Sequence, residues 1–247
     1  MIGFLKRHYW LVIFSGFMVA SLGMGIRQNF GQFLPAMTAD LGIGREAFAF
    51  AMALQNIIWG ITTPFAGAIA DKYGSGKMIA LGGLTYTCGL FIMANAEDAF
   101  GLNMGAGLFI GFGQAAAGFA VLLGAVARWV PASRRSLALG VATAGGSFGQ
   151  FYMAPVSLGL IEATGWSMAL IYMAGLSVIM VVLASALTGK ASDATEGDPT
   201  QTISQAVQEA TVYRSYWLLT AGFFVCGFQI SFVAVHLPAF IKDLGLD

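Results

Sequence analysis

Apolar residues in this chain do not alternate with polar ones; they run together in long blocks separated by short polar stretches. Seven blocks stand out, roughly Tyr9–Met37, Ala47–Ala70, Lys77–Ala96, Phe100–Trp129, Ser136–Ala163, Trp166–Leu187 and Tyr216–Ile241. A helix needs about 20 mostly apolar residues to cross ~30 Å of hydrocarbon, and each block qualifies. The first is too long for a signal-peptide core and lacks a convincing cleavage site, so it reads as a retained span. The pattern predicts an all-α, polytopic membrane protein.

Composition supports this. Of 247 residues, 57% are hydrophobic and 10% charged, against about 25% charged in soluble domains. Net charge is zero, which argues against a nucleic-acid partner, since phosphate binding needs a basic excess. Cys88 and Cys226 lie inside apolar runs and give no disulfide framework. The chain has no H-x-x-x-H spacing, no G-x-S-x-G elbow and no phosphate loop. No enzyme, metal site or cofactor is expected.

Charge placement predicts orientation. With the N-terminus in the cytoplasm, the inner segments carry Lys6, Arg7, Lys72, Lys77, Arg128, Arg134, Arg135, Lys190 and Arg214, and the outer ones only Arg45 and Lys242. The positive-inside rule favours that topology. Asp40, Glu46, Glu97, Asp98, Glu162 and Asp243 then fall outside.

The one long polar segment, following the sixth block, reads as a cytoplasmic connector whose later part, Thr202 to Ala210, has the character of a short surface helix. The expected division is a six-helix bundle over 1–189, a loop over 190–213 and the first helix of a second bundle over 214–247. An internal repeat supports it. "LPAMTADLG" (Leu34–Gly42) ends the first block and "LPAFIKDLG" (Leu237–Gly245) ends the seventh, each with a proline expected to break the helix at the outer face. Their beginnings, "YWLVIFSGF" and "YWLLTAGFF", also agree. Parallel repeats of this kind build transporters whose halves are related by an axis along the membrane normal. The expectation is that five more helices follow Asp247 and that this chain is a fragment or truncated product.

The loop "GAIADKYGSGK" (Gly67–Lys77) resembles the signature loop of the major facilitator superfamily. Gly67, Asp71, Lys72, Gly74 and Lys77 fit; Ser75 and Gly76 stand where basic residues are usual. Gly67 reads as a close helix approach and Gly74 as a tight turn. A carboxylate at a helix C-terminus is unfavourable alone, so Asp71 needs a cation, for which Arg128 is the candidate. The resemblance implies that this acid latches the two halves in the outward-facing state. "RRSLALGVATAGGSFG" (Arg134–Gly149) is similar to the fifth-helix signature of monocarboxylate-type transporters, through Arg134, Arg135, Leu137, Ala138, Gly140, Ala142, Ala144, Gly145 and Gly149. Pro131 and Ala132 replace the aromatic pair that usually precedes it, and the acidic-Gly-Gly-Trp run of eukaryotic first spans is missing. The resemblance implies a prokaryotic relative, in a bacterial inner membrane. Gly140, Ala144 and Gly145 read as a small-residue contact surface.

Arg27 interrupts the first block. At ~1.5 Å per residue it lies about 25 Å from Trp10 and about 12 Å from Pro35. Facing lipid there costs roughly 3 kcal/mol on insertion scales, so it must face protein or water. No Asp or Glu lies in the core of any span, and a guanidinium fork matches a carboxylate. In the facilitator fold the first helix lines the central cavity, and monocarboxylate transporters carry a functional cation at about this depth; Gln28 aligns at least as well. The alternative is an arginine tied to backbone carbonyls or reaching toward the headgroups. Gln55, Asn56, Gln114, Gln150, Tyr152 and His236 are further candidates for a substrate site. Gln55 and Asn56 point about 100° apart, so at most one is expected to face the cavity squarely. His236 can change charge near neutral pH and suits either proton transfer or helix contact.

The reading is a secondary transporter moving a small organic anion, a monocarboxylate above all, by alternating access, with proton coupling implied by the resemblance. Its rivals are an exporter of drugs or other amphipathic solutes and, remotely, a seven-helix receptor-like bundle.

Overall fold

The computed structural model describes residues 9–189 and 203–245. Lys6, Arg7, Lys190 and the first part of the expected connector lie outside the described residues. Six helical stretches among those described are long and apolar enough to cross a membrane. The fifth, Ala132–Leu187, has 56 residues, about 84 Å if straight, which is more than twice a bilayer core. It is not straight. Gly165, at φ 81° and ψ 165°, folds it into two passes, so seven crossings result, as the hydrophobic blocks predict.

The first crossing is α1 (Tyr9–Gln28), a 3-10 turn Phe30–Gln32 and the short α2 (Leu34–Leu41). It is interrupted at Asn29, before the expected boundary, and Pro35 sits in the first turn of α2, where its missing N–H costs nothing. The second crossing is α3 (Arg45–Tyr73) and the third α4 (Ser75–Ala94). The fourth, expected as one helix, is built of α5 (Ala99–Leu102), a π-helical segment Asn103–Phe109, α6 (Ile110–Ala117) and α7 (Phe119–Trp129). Gly118, extended at φ −75° and ψ 178°, separates α6 from α7. The folded pair of crossings is α8 (Arg135–Leu183), followed by a 3-10 turn, Ala184–Leu187. A short helix, α9 (Ile203–Val212), lies where the connector pattern places one, and α10 (Arg214–Asp243) is the last crossing.

Glycine sets how closely these helices approach. A Cβ on Gly25 would stand 2.7 Å from the Gly149 carbonyl, and one on Gly145 or Gly149 would run into the carbonyls of Phe17 or Ser21. The first half of α8 therefore runs beside α1. Its second half returns along α4, with Gly83 against Val181 and the Thr87 and Ser177 hydroxyls 2.7 Å apart. Two glycines depart from expectation. A Cβ on Gly67 or Gly140 would meet nothing within 4 Å, and Ala144 is exposed, so among the described residues they make no close helix contact; Gly145 and Gly149 do.

The repeated L-P-A-x-x-x-D-L-G ends share one physical feature. Gly42 (φ 62°) and Gly245 (φ 69°) both adopt the left-handed conformation that ends a helix. Their prolines differ. Pro35 begins a new helix, whereas Pro238 lies inside α10 without breaking it. At this end α10 meets the bundle: a Cβ on Gly31 would strike the carbonyl of Ala234, and Arg45 pairs with Asp243.

Candidate functional site

Arg27 sits in the last turn of α1, half-buried. Its Nε donates to Oε1 of Gln55 at 2.7 Å, its Nη2 to Oδ1 of Asn56, and its Nη1 makes a longer 3.4 Å contact with Oε1 of Gln28. Both α3 amides thus meet one guanidinium, although the helix turns about 100° between them. The long arginine side chain bridges that angle.

Each amide is oriented by its second bond. The Gln55 Nε2 donates to the Ala106 carbonyl at 2.6 Å, inside the π-helical segment of the fourth crossing. The Asn56 Nδ2 donates to the Met52 carbonyl at 2.9 Å. With both nitrogens held by carbonyls, both oxygens face the cation. Local π-helical geometry often accompanies functional sites, and here it supplies the carbonyl that fixes Gln55. The guanidinium carbon also lies over the Trp59 ring, 4.9 Å from its centroid. Trp59 follows Gln55 by four residues, so the two share a face of α3.

No carboxylate among the described residues bonds Arg27. Its partners are neutral amides and one aromatic face, not backbone carbonyls. Three of the five guanidinium N–H groups are taken by these bonds, leaving one on each terminal nitrogen.

The other sequence candidates lie apart from this cluster. Gln114 is buried and donates to the Gly23 carbonyl at 3.0 Å, sharing it with the Tyr86 hydroxyl at 3.1 Å. It joins helices one turn below Arg27. Gln150 offers its backbone carbonyl to Asn29 Nδ2 at 3.4 Å, and Tyr152 is in ring contact with Phe148. His236 packs on Phe232 of its own helix. No hydrogen bond or ring contact links these three to Arg27 among the described residues. Sequence reasoning missed Trp59, whose only signal was its place four residues after Gln55. It also missed the role of Gln32, which accepts from Ser157 Oγ at 2.7 Å and ties the 3-10 turn to α8.

At the opposite end of the bundle, Arg128 Nη1 donates to Asp71 Oδ1 at 3.0 Å and its Nη2 to Ser75 Oγ at 3.0 Å. Asp71 lies in the last turn of α3 and Arg128 in that of α7, so the cation answers both helix C-termini. Gly74, at φ 107°, makes the turn. The replacements at 75 and 76 have a local cause. Ser75 is fully buried against the Leu187 and Gly189 carbonyls, and a Cβ on Gly76 would stand 2.8 Å from the Ala184 carbonyl. Neither position has room for a long basic side chain. Lys72 lies over the Tyr73 ring, Lys77 and Arg135 are exposed, and Arg134 lies over Trp10.

Comparison with known proteins agrees with this architecture. The family model described as Major Facilitator Superfamily matches residues 13–247. Monocarboxylate transporter 13 of Bos taurus is 26% identical over 243 residues, covering 96% of this chain and 55% of that protein. Monocarboxylate transporter 11 of Homo sapiens is 27% identical over 169 residues, covering 68% of this chain and 36% of its own. Among solved structures, a bacterial homologue of the human lysosomal transporter Spinster, inward-facing and unoccupied, superposes with a TM-score of 0.69 at 13% identity, over 98% of this chain and 57% of that one. The chain thus spans about half the length of the transporters it matches. The family match takes in nearly the whole chain: the chain belongs to the Major Facilitator Superfamily, resembling its monocarboxylate branch, and is not an enzyme.

Proposed function

We propose that this chain forms the anion-binding half of a secondary transporter that moves a small organic anion, a monocarboxylate above all, across the cell membrane by alternating access. The observation that carries the reading is Arg27. A guanidinium within an apolar helix, held by Gln55, Asn56 and Gln28 and by no carboxylate among the described residues, keeps its charge uncompensated. In a low-dielectric setting that charge favours an arriving anion strongly. The N–H groups left on Nη1 and Nη2 form a fork that a carboxylate can take in two parallel bonds. The similar proteins named monocarboxylate transporter 13 and monocarboxylate transporter 11 support the same class.

The polar network prepares the site and does not neutralise it. Gln55 and Asn56 fix the guanidinium edge so that binding a carboxylate needs little rearrangement, which is where preorganised sites gain affinity. In this proposal the end carrying Lys72, Lys77, Arg128, Arg134, Arg135 and Arg214 faces the cytoplasm, and Asp71 with Arg128 controls closure there. Proton coupling belongs to the same proposal.

The test is uptake of labelled two- to four-carbon monocarboxylates by the protein in proteoliposomes, with external pH recorded. Arg27→Ala should abolish uptake and Arg27→Lys should retain part of it; alkalinisation outside should accompany uptake. Carboxylate uptake unchanged in Arg27→Ala, or efflux of lipophilic dyes in its place, overturns the reading in favour of an amphipathic-solute exporter.

A further inference from the structure

Trp59 does more than fill space between helices. Its ring lies under the Arg27 guanidinium, 4.9 Å from carbon to centroid. Its Nε1 lies 3.5 Å from where a Cβ on Gly118 would stand, beside the one extended residue between α6 and α7. The indole therefore sits between the cation and the break in the fourth crossing, at ordinary contact distance from position 118, where the Gln114 carbonyl leaves no space for a Cβ. Gln55 and Asn56 fix the guanidinium at its Nε and Nη2 atoms, while the face of the Trp59 ring lies against its central carbon.

We infer that Trp59 is a substrate-positioning residue: lying against the central carbon of the Arg27 guanidinium, it directs a carboxylate to the terminal-nitrogen edge and gives the organic part of that anion a flat apolar surface. The inference rests on the anion reading of Arg27 and deepens it toward specificity. An anion approaching over the ring side is excluded, so the carboxylate lies in the plane of the fork. The group it carries then extends along the indole. Short or flat monocarboxylates fit that geometry. A second charged group placed against the ring is left without a partner and is disfavoured. Without the indole the anion loses its apolar surface and its directed approach, so binding should weaken several-fold.

The experiment uses the same protein in proteoliposomes, with acetate, pyruvate, lactate and phenylpyruvate as probes. Trp59→Ala should raise KM at least several-fold with little change in maximal rate, and should flatten the preference among the four acids. Trp59→Phe, which keeps a ring, should restore most of the affinity. Tryptophan emission of the unaltered protein should change on adding a transported acid, and the change should be lost in Trp59→Phe. Unchanged KM in Trp59→Ala overturns the proposal. So does equal damage to maximal rate in both variants, which marks a purely structural ring. If uptake needs Arg27 but ignores Trp59, this inference alone fails; if uptake ignores Arg27, the anion reading fails with it.

Discussion

Arg45 and Asp243 are joined by two hydrogen bonds, Nη1 to Oδ2 at 2.6 Å and Nη2 to Oδ1 at 2.8 Å. They tie the first residue of α3 to the last of α10, across 198 positions of chain. Asp40, the matching acid of the first repeat, instead accepts from Trp166 Nε1 at 2.9 Å. Equivalent acids thus serve different partners at the same end of the bundle. Exposed ion pairs add little to stability, so this pair matters for where α10 rests. Cysteines placed at 45 and 243 should cross-link with a short bifunctional reagent and stop transport until a cleavable linker is cut. Failure to cross-link under any condition would show that α10 does not close on α3 there.

Replacing Gln55 with glutamate places a carboxylate 2.7 Å from the Arg27 Nε. The arginine is then neutralised from within, and its appeal to a carboxylate substrate is lost. Transport of monocarboxylates should fall at least tenfold while the thermal midpoint changes little, because the new ion pair with Arg27 is offset by the lost bond to the Ala106 carbonyl. Uptake kinetics and thermal unfolding in detergent read the two effects separately.

Close approach of α1 and α8 depends on Gly149, where a side chain meets the Ser21 carbonyl. Gly149→Ala forces backbones apart, and overpacking of this kind costs about 1–3 kcal/mol. Gly140→Ala is the control, since a Cβ there would meet nothing within 4 Å. The first variant should unfold at lower temperature and the second should not, measured side by side.

Arg128 forks between Asp71 and Ser75. A lysine presents a single point charge and does not reproduce the fork. Initial uptake rates should fall in Arg128→Lys and fall further in Arg128→Ala, with KM little altered because the site around Arg27 is untouched. A raised KM with normal maximal rate would contradict a role in closure.

The crossings were readable because lipid demands long apolar blocks, but the repeat's helix ends, expected at Pro35 and Pro238, fall at Gly42 and Gly245. Arg128 could be named as partner of Asp71 because a carboxylate at a helix C-terminus requires a cation, and Arg128 closes the fourth crossing at that same end. The break at Gly118 was hidden. "GQAAAGFAV" reads as uninterrupted helix, and only packing against Gln114 and Trp59 reveals the extended residue. Trp59 was hidden for the same reason, since a tryptophan in an apolar run resembles any other core aromatic until α1 lies beside it. Gly67 and Gly140 misled in the opposite direction. Small residues allow helices to approach but do not compel them to, and what approaches depends on the rest of the fold.

The fourth crossing is jointed at Gly118, with Gln114 on one limb and Arg128 on the other. Because the helical ladder stops between them, a tilt of the lower limb at the Asp71 loop need not drag the upper limb with it. In the proposed transport cycle, loading near Trp59 and unlatching at the far rim would then be separate strokes, with a single extended residue serving as the elbow.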